Sequence, residues 1–137
     1  MNQKKQGLSI NQAILHRRSV TPLMFNNKEI DSKTIDLLME LANWAPTHRM
    51  TEPWRFVVIS GASKERFGTL AAQAYKEHTR KFDELKFMKT KRKWERSSHV
   101  LPIVFHRDLN DRLPEYEDIA AVSMAVQTLW LASTQYN

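Results

Sequence analysis

Ala45-Pro46-Thr47-His48-Arg49-Met50-Thr51-Glu52-Pro53-Trp54, running straight into Arg55-Phe56-Val57-Val58-Ile59-Ser60, decides how this chain is read. Two prolines bound a short polar loop, and each restricts the backbone of the residue before it. The run that follows is β-prone and closes at Gly61, so Phe56 to Ser60 is predicted as a strand. Its scarcity of polar positions predicts burial on both faces. Within the loop, His48 and Arg49 are polar groups able to face a planar aromatic ligand, with Trp44 and Trp54 as packing surface. A plainer reading has Trp54 anchoring the strand in the core and His48 solvated. The loop alone leaves both open.

Upstream, Ser9 to Arg18 reads as a helix. Ser9 with Gln12 has capping-box spacing, and Ile10, Ala13, Ile14 and Arg17 follow the helical period. Val20, Thr21 and Pro22 end it near Ser19. The triplet Arg17-Arg18-Ser19 suits a phosphate, because arginine offers a planar fork of donors and serine a short hydroxyl. Arginines at a helix C-terminus also complement the macrodipole, which is the alternative reading. A second helix is predicted from Asp31, its N-cap, to about Trp44, with Ile35, Leu38, Leu41 and Ala42 as its apolar face. Ile30 and Ile35 hold the positions of a hydrophobic staple.

Downstream, a single long helix is predicted from Ser63 to about Lys89, with Phe67, Leu70, Ala71, Ala74 and His78 on one face. Val100 to His106 is predicted as a second buried strand, and 109–115 as a polar turn containing Asn110, Asp111 and Pro114. The last helix, Tyr116 to Tyr136, is apolar on nearly every side. Such a helix needs covering by another chain or a further segment. Glu115, Glu117 and Asp118 cluster at its start, where they suit the positive end of its dipole. The expected whole is one α+β domain over residues 1–137, helices dominant, with no repeat, linker or internal boundary.

The chain has 137 residues, 42% hydrophobic and 26% charged, an ordinary globular balance. Only 3 glycines are present and neither glycine-rich phosphate-loop pattern occurs. Zero cysteines exclude disulfides, thiol nucleophiles and cysteine zinc sites, and are compatible with a reducing cytoplasm. Two lysines precede Gly7 without an apolar core behind them, so a secretory signal is not expected. The uncharged run from Ile119 carries Ser123, Gln127 and Thr128, which favours a buried helix over a membrane span. His16, His78, His99 and His106 show no metal-binding spacing, so no metal is expected, and no nucleophile elbow is present.

The net charge of +6 is concentrated: Lys76 to Arg96 holds nine basic residues against four acids. Phe82, Phe87 and Trp94 lie among those charges, as stacking on bases requires. The interleaved acids favour a solvated helix over a nucleic-acid surface.

The order of these parts resembles the nitroreductase family. A helix ending Arg-Arg-Ser, a second ending Ala-Pro, a loop closing in Pro-Trp and a buried strand follow one another as they do there. The string from Ala45 to Val58 is similar to a branch carrying histidine in this loop. The resemblance implies a three-layer α/β/α fold, helix-rich around a central sheet. It implies a homodimer with FMN at the subunit interface, NADH or NADPH as electron donor, and nitroaromatics, quinones or similar compounds as acceptors. By match, Arg17, Arg18 and Ser19 hold the phosphate and ribityl end, while Trp44 and His48 of the other subunit lie against the flavin.

The chain departs from the pattern at Thr21, where many members have a basic residue, and at Met50 and Glu52, where many have asparagine and glutamine. Members also continue past the last helix, so Asn137 implies a truncated member, incomplete at its C-terminus. Two other readings stand beside the enzyme: a non-catalytic relative with an incomplete flavin site, and a basic nucleic-acid-binding module.

Overall fold

A computed structural model describes residues 7–107, 110 and 112–136. Leu109 and Asp111 of the expected turn, and the stretch before Gly7, lie outside them. The described chain is helix-rich with two small sheets, and it groups into two compact units. The first comprises Met1–Ser19, Asp31–Arg55 and Ile103–Asn137; the second comprises Val20–Ile30 and Phe56–Pro102.

In the first unit, α1 (Ile10–His16) starts on the capping box read from the sequence: Gln12 N–H donates to Ser9 Oγ, and Ser9 N–H donates to Gln12 Oε1. It ends earlier than predicted, with Arg17 already non-helical. Only Ala13 of its predicted apolar face is buried; Ile10 and Ile14 are exposed. Helix α2 (Ser32–Ala42) is capped by Asp31, and Ile35, Leu38 and Ala42 of its predicted apolar face are buried, whereas Leu41 is exposed. It packs on α5 (Glu115–Ser133), which a 3-10 turn, Thr134–Tyr136, extends.

The buried stripe of α5 is Asp118, Ala121 and Ala125, at helical spacing. Small residues there let α2 approach. The larger apolar side chains Ile119, Met124 and Trp130 are exposed. The helix therefore keeps apolar surface that nothing in its own unit covers.

Each predicted strand is broken in two. The first gives β1 (Trp54–Phe56) and β2 (Ile59–Ser60); the second gives β3 (His99–Val100) and β4 (Ile103–Phe105). β1 pairs with β4, and β2 with β3, the latter antiparallel with Ile59 opposite Val100. The break has a chemical cause. Val57 N–H donates to the Pro102 carbonyl at 3.0 Å, but proline has no N–H to return, so the ladder lapses there. Val57, Val58 and Val104 are exposed, so the expectation of burial on both faces is corrected.

In the second unit the predicted single long helix is two: α3 (Ser63–His78) and α4 (Glu84–Arg92). Thr79 is extended and its hydroxyl donates to the Lys81 carbonyl at 3.0 Å, a local bond that competes with continuing the helix. Asp83 then caps α4 by accepting from Lys86 N–H. The core-facing stripe of α3 is also shifted. Gly68 and Ala72 are buried while Leu70 is exposed, because α4 folds back against α3. A Cβ at Gly68 would fall on the Lys91 carbonyl oxygen, so only glycine permits that approach.

Candidate functional site

All five residues singled out by sequence lie in the first unit. Arg17, beside Ser19, is tied to one end of α5 and His48 to the other, while Arg18 turns back on α1 and Trp44 stands open to solvent.

The first group follows α1. The Arg17 guanidinium lies over the Trp130 ring, 4.5 Å from its centroid, and donates to Ser19 Oγ at 3.4 Å. Stacking on an aromatic face fixes the planar group while leaving its edge able to donate. Arg18 instead turns back on its own helix, donating to the Leu15 and Arg17 carbonyls at 2.7 and 2.8 Å. It thereby satisfies carbonyls that a helix end leaves open. The alternative reading of the triplet is thus realised at Arg18, whereas Arg17 and Ser19 form an adjacent cation and hydroxyl.

The second group is the loop itself. Trp54 is 4% exposed and its indole N–H donates to Asn43 Oδ1 at 2.9 Å, so the loop leaves α2 and returns to the same place. Trp44 does the opposite: at the end of α2 it is 82% exposed, a flat apolar surface open to solvent. His48 sits in a 3-10 turn, His48–Met50, which packs on α5.

Its Nδ1 lies 2.7 Å from Glu117 Oε2, and Thr51 Oγ1 donates to Asp118 Oδ1 at 2.8 Å. Asp118 is 1% exposed. Between these ties the backbone is left-handed at Arg49, Met50 and, just beyond, Glu52, with φ of 53°, 54° and 42°. Each such residue costs about 1–3 kcal/mol and persists only where its surroundings impose it. The Thr51 bond to the buried Asp118 carboxylate returns about 1.5–3 kcal/mol, and the more exposed His48–Glu117 pair less than about 1 kcal/mol.

Reading Glu117 and Asp118 only as helix-dipole partners missed this role. The available signal was position: an acid at 118 shares the stripe of Ala121 and Ala125, where a buried carboxylate needs a donor. Glu115, by contrast, pairs with Arg107 at 2.9 Å outside the loop.

Trp130 and Glu117 are thirteen positions apart on α5. At the helical rise that separates the two groups by about 20 Å along the axis. A compact pocket of a few hundred Å³ is roughly 10 Å across. The α5 residues that hold Arg17 and His48 are therefore not neighbours on the helix.

The second unit carries a separate cleft of about 630 Å³ between the Pro22–Met24 turn and α4. It has Leu23, Leu85 and Met88 among its lining, Lys89 and Arg92 among its charges, and none of the residues singled out above. Among the described residues, no group of three histidine, aspartate or glutamate side chains is placed to hold a metal. None of their helices is long and apolar enough to cross a membrane.

The model of the nitroreductase family matches residues 14–137. The YfhC nitroreductase of Bacillus subtilis (strain 168) is 34% identical over 120 residues, covering 86% of this chain and 60% of that protein. The chain thus spans less than two thirds of that relative's length. Nitroreductase NfnB of Mycolicibacterium smegmatis is 34% identical over 53 residues, 39% of this chain and 23% of its own. Among solved structures, a nitroreductase-like family protein from Bacillus cereus superposes with a TM-score of 0.74 at 22% identity, over 98% of this chain and 68% of that one. The FMN-dependent nitroreductase NfnB from Mycobacterium smegmatis, solved with NADPH, gives 0.72 at 21% identity, over 92% and 70%. These likenesses show the nitroreductase-like fold.

Proposed function

The chain belongs to the nitroreductase family, and from that premise we propose that it acts as an FMN-dependent oxidoreductase. Reducing equivalents from NADH or NADPH pass to nitroaromatic, quinone or similar acceptors. The observation that carries the site assignment is the separation on α5. Arg17 and Ser19 are anchored at one end and the His48 loop at the other, about 20 Å away. Two copies related by a two-fold axis, with their α5 helices antiparallel, bring the phosphate grip of each to the loop of the other. The exposed Ile119, Met124 and Trp130 on α5 supply apolar surface for that pairing.

The donor set suits FMN. Arg17, held by Trp130 and beside the Ser19 hydroxyl, offers charge and a neutral donor to a phosphate. Arg18 buttresses the turn that presents them. Trp44 offers an open flat face to an aromatic ring system, and with Nδ1 of His48 engaged by Glu117, its second ring nitrogen is left for a ligand. When bound, FMN supplies the hydride and electron chemistry, and the protein positions it and sets its surroundings. A cytoplasmic homodimer with one FMN at each of two interface sites is the assembly this reading requires, and nucleic acid is not among its partners.

The test is reconstitution. The purified chain mixed with FMN is expected to retain a flavin absorption spectrum through gel filtration and to elute as a dimer by light scattering. Arg17→Ala and Ser19→Ala are each expected to weaken retention. Equal retention in both variants would remove these residues from the phosphate site, and a folded chain that takes up no flavin would point to a non-catalytic relative.

A further inference from the structure

Of the four non-glycine residues with positive φ among the described residues, three lie between Pro46 and Pro53: Arg49, Met50 and Glu52. An L-residue adopts that region at a steric cost, from its Cβ meeting the neighbouring carbonyl. Left to itself, the turn would return to negative φ. Two side-chain ties bracket Arg49 and Met50. On one side Glu117 Oε2 takes His48 Nδ1 at 2.7 Å; on the other Asp118 Oδ1 accepts from Thr51 Oγ1 at 2.8 Å. Both carboxylates belong to the first turn of α5, and Asp118 is fixed in its buried stripe. The pairing is therefore between a strained loop and a rigid element next to it.

We propose that Glu117 and Asp118 are positioning residues: they clamp the 48–51 turn in its left-handed form and so fix the placement of the His48 ring. The clamp stands on the loop geometry alone. Its consequence, that the ring is set for a flavin, rests on the function proposed above. Without the clamp the turn relaxes and His48 loses its orientation, while α2 and α5 remain packed.

Trypsin cleavage after Arg49, followed by mass spectrometry on the full chain, reads the clamp without any cofactor. Arg49 is exposed in the turn, so its accessibility to the protease follows the turn's opening. Thr51→Val is expected to speed cleavage there about tenfold relative to other sites, as loss of a charge-assisted hydrogen bond predicts. Thr51→Ser, which restores the hydroxyl, is expected to return the wild-type rate. Met50→Asn places a residue that tolerates the left-handed region. In that background Thr51→Val is expected to accelerate cleavage much less.

If Thr51→Val unfolds the chain, cleavage rises at every site. Glu117→Gln, on the more exposed pair, then carries the test, with faster cleavage at Arg49 as the expected result. Unchanged cleavage at Arg49 in a folded Glu117→Gln or Thr51→Val chain overturns the proposal, as does equal acceleration in the Met50→Asn background. With FMN bound, Glu117→Gln is expected to shift the flavin's visible absorption band. Faster cleavage in a chain that takes up no FMN upholds the clamp and defeats the flavin reading. FMN uptake with unaltered cleavage does the reverse.

Discussion

The loop from Pro46 to Trp54 and the segment from Lys76 to Arg96 are both dense in polar residues, and they spend that density differently. In the loop each polar side chain that matters has one defined opposite number: His48 with Glu117, Thr51 with Asp118, Trp54 with Asn43. The backbone between them is strained. In the basic segment Arg96 donates to the Leu23 and Phe25 carbonyls and to Asn27 Oδ1, while Lys76, Lys86 and Lys93 lie over rings. Lys86 sits 4.8 Å from the Tyr75 centroid and Lys93 4.7 Å from that of Trp94. The Arg92–Glu95 ion pair there is 4.0 Å long and largely solvated. Shape holds that segment together, through Gly68 and the tilted pairs Phe67–Trp94 and Phe82–Phe87. The difference is that the loop's polar groups bridge to other elements, with one counterpart, Asp118, buried, whereas most of the basic segment's charge is solvated.

The largest expected effect tests the anchor of the loop. Trp54→Ala removes a nearly buried ring and is expected to cost about 3–5 kcal/mol in denaturant unfolding. A loss below about 1 kcal/mol would mean that the loop is not held through Trp54. Next, Gly68→Ala drives a methyl into the Lys91 carbonyl and is expected to cost about 1–3 kcal/mol while leaving flavin uptake intact. No change would contradict the close approach of α3 and α4.

Smaller still is the effect of neutralising the basic segment. Lys89→Gln and Arg92→Gln are expected to change stability by less than about 0.5 kcal/mol each. A larger loss in either would show paired charge where the comparison places solvated charge. The smallest effect is at the start of α2. The hydrogen bond from the Thr34 hydroxyl, foremost, holds the Asp31 carboxyl below its ordinary 3.8. Because the folded value is the depressed one, that contribution is present above the unfolded pKa and lost as pH falls through the folded one. The difference in unfolding midpoint between wild type and Asp31→Asn is therefore expected to close below about pH 4. A difference constant from pH 7 to pH 3 would contradict it.

Much of this was legible in the chain. The Ser9–Gln12 box, the Asp31 cap and, Leu41 apart, the apolar face of α2 followed from spacing, because caps and period are local chemistry. The family was legible from the order of Arg17-Arg18-Ser19 and the Pro-Trp loop, where neither motif decided alone. What escaped was set by contacts distant in sequence. One proline, Pro102, ended the pairing of a strand more than forty residues earlier. Thr79 and Asp83 split a helix whose periodicity ran through them, since a hydroxyl bond and a cap outweighed propensity. In the candidate site, the partnership of Glu117 and Asp118 with a loop some seventy residues before them has no signature in local spacing.

The central claim is tested most directly by titrating FMN into the purified chain while following flavin fluorescence, with wild type and Arg17→Ala side by side. The account predicts saturable uptake approaching one FMN per chain, and a loss of affinity of about tenfold or more in Arg17→Ala, as removal of a charge-assisted phosphate contact implies. A folded, dimeric wild-type chain that binds no FMN, or an Arg17→Ala chain that binds it equally well, would contradict it.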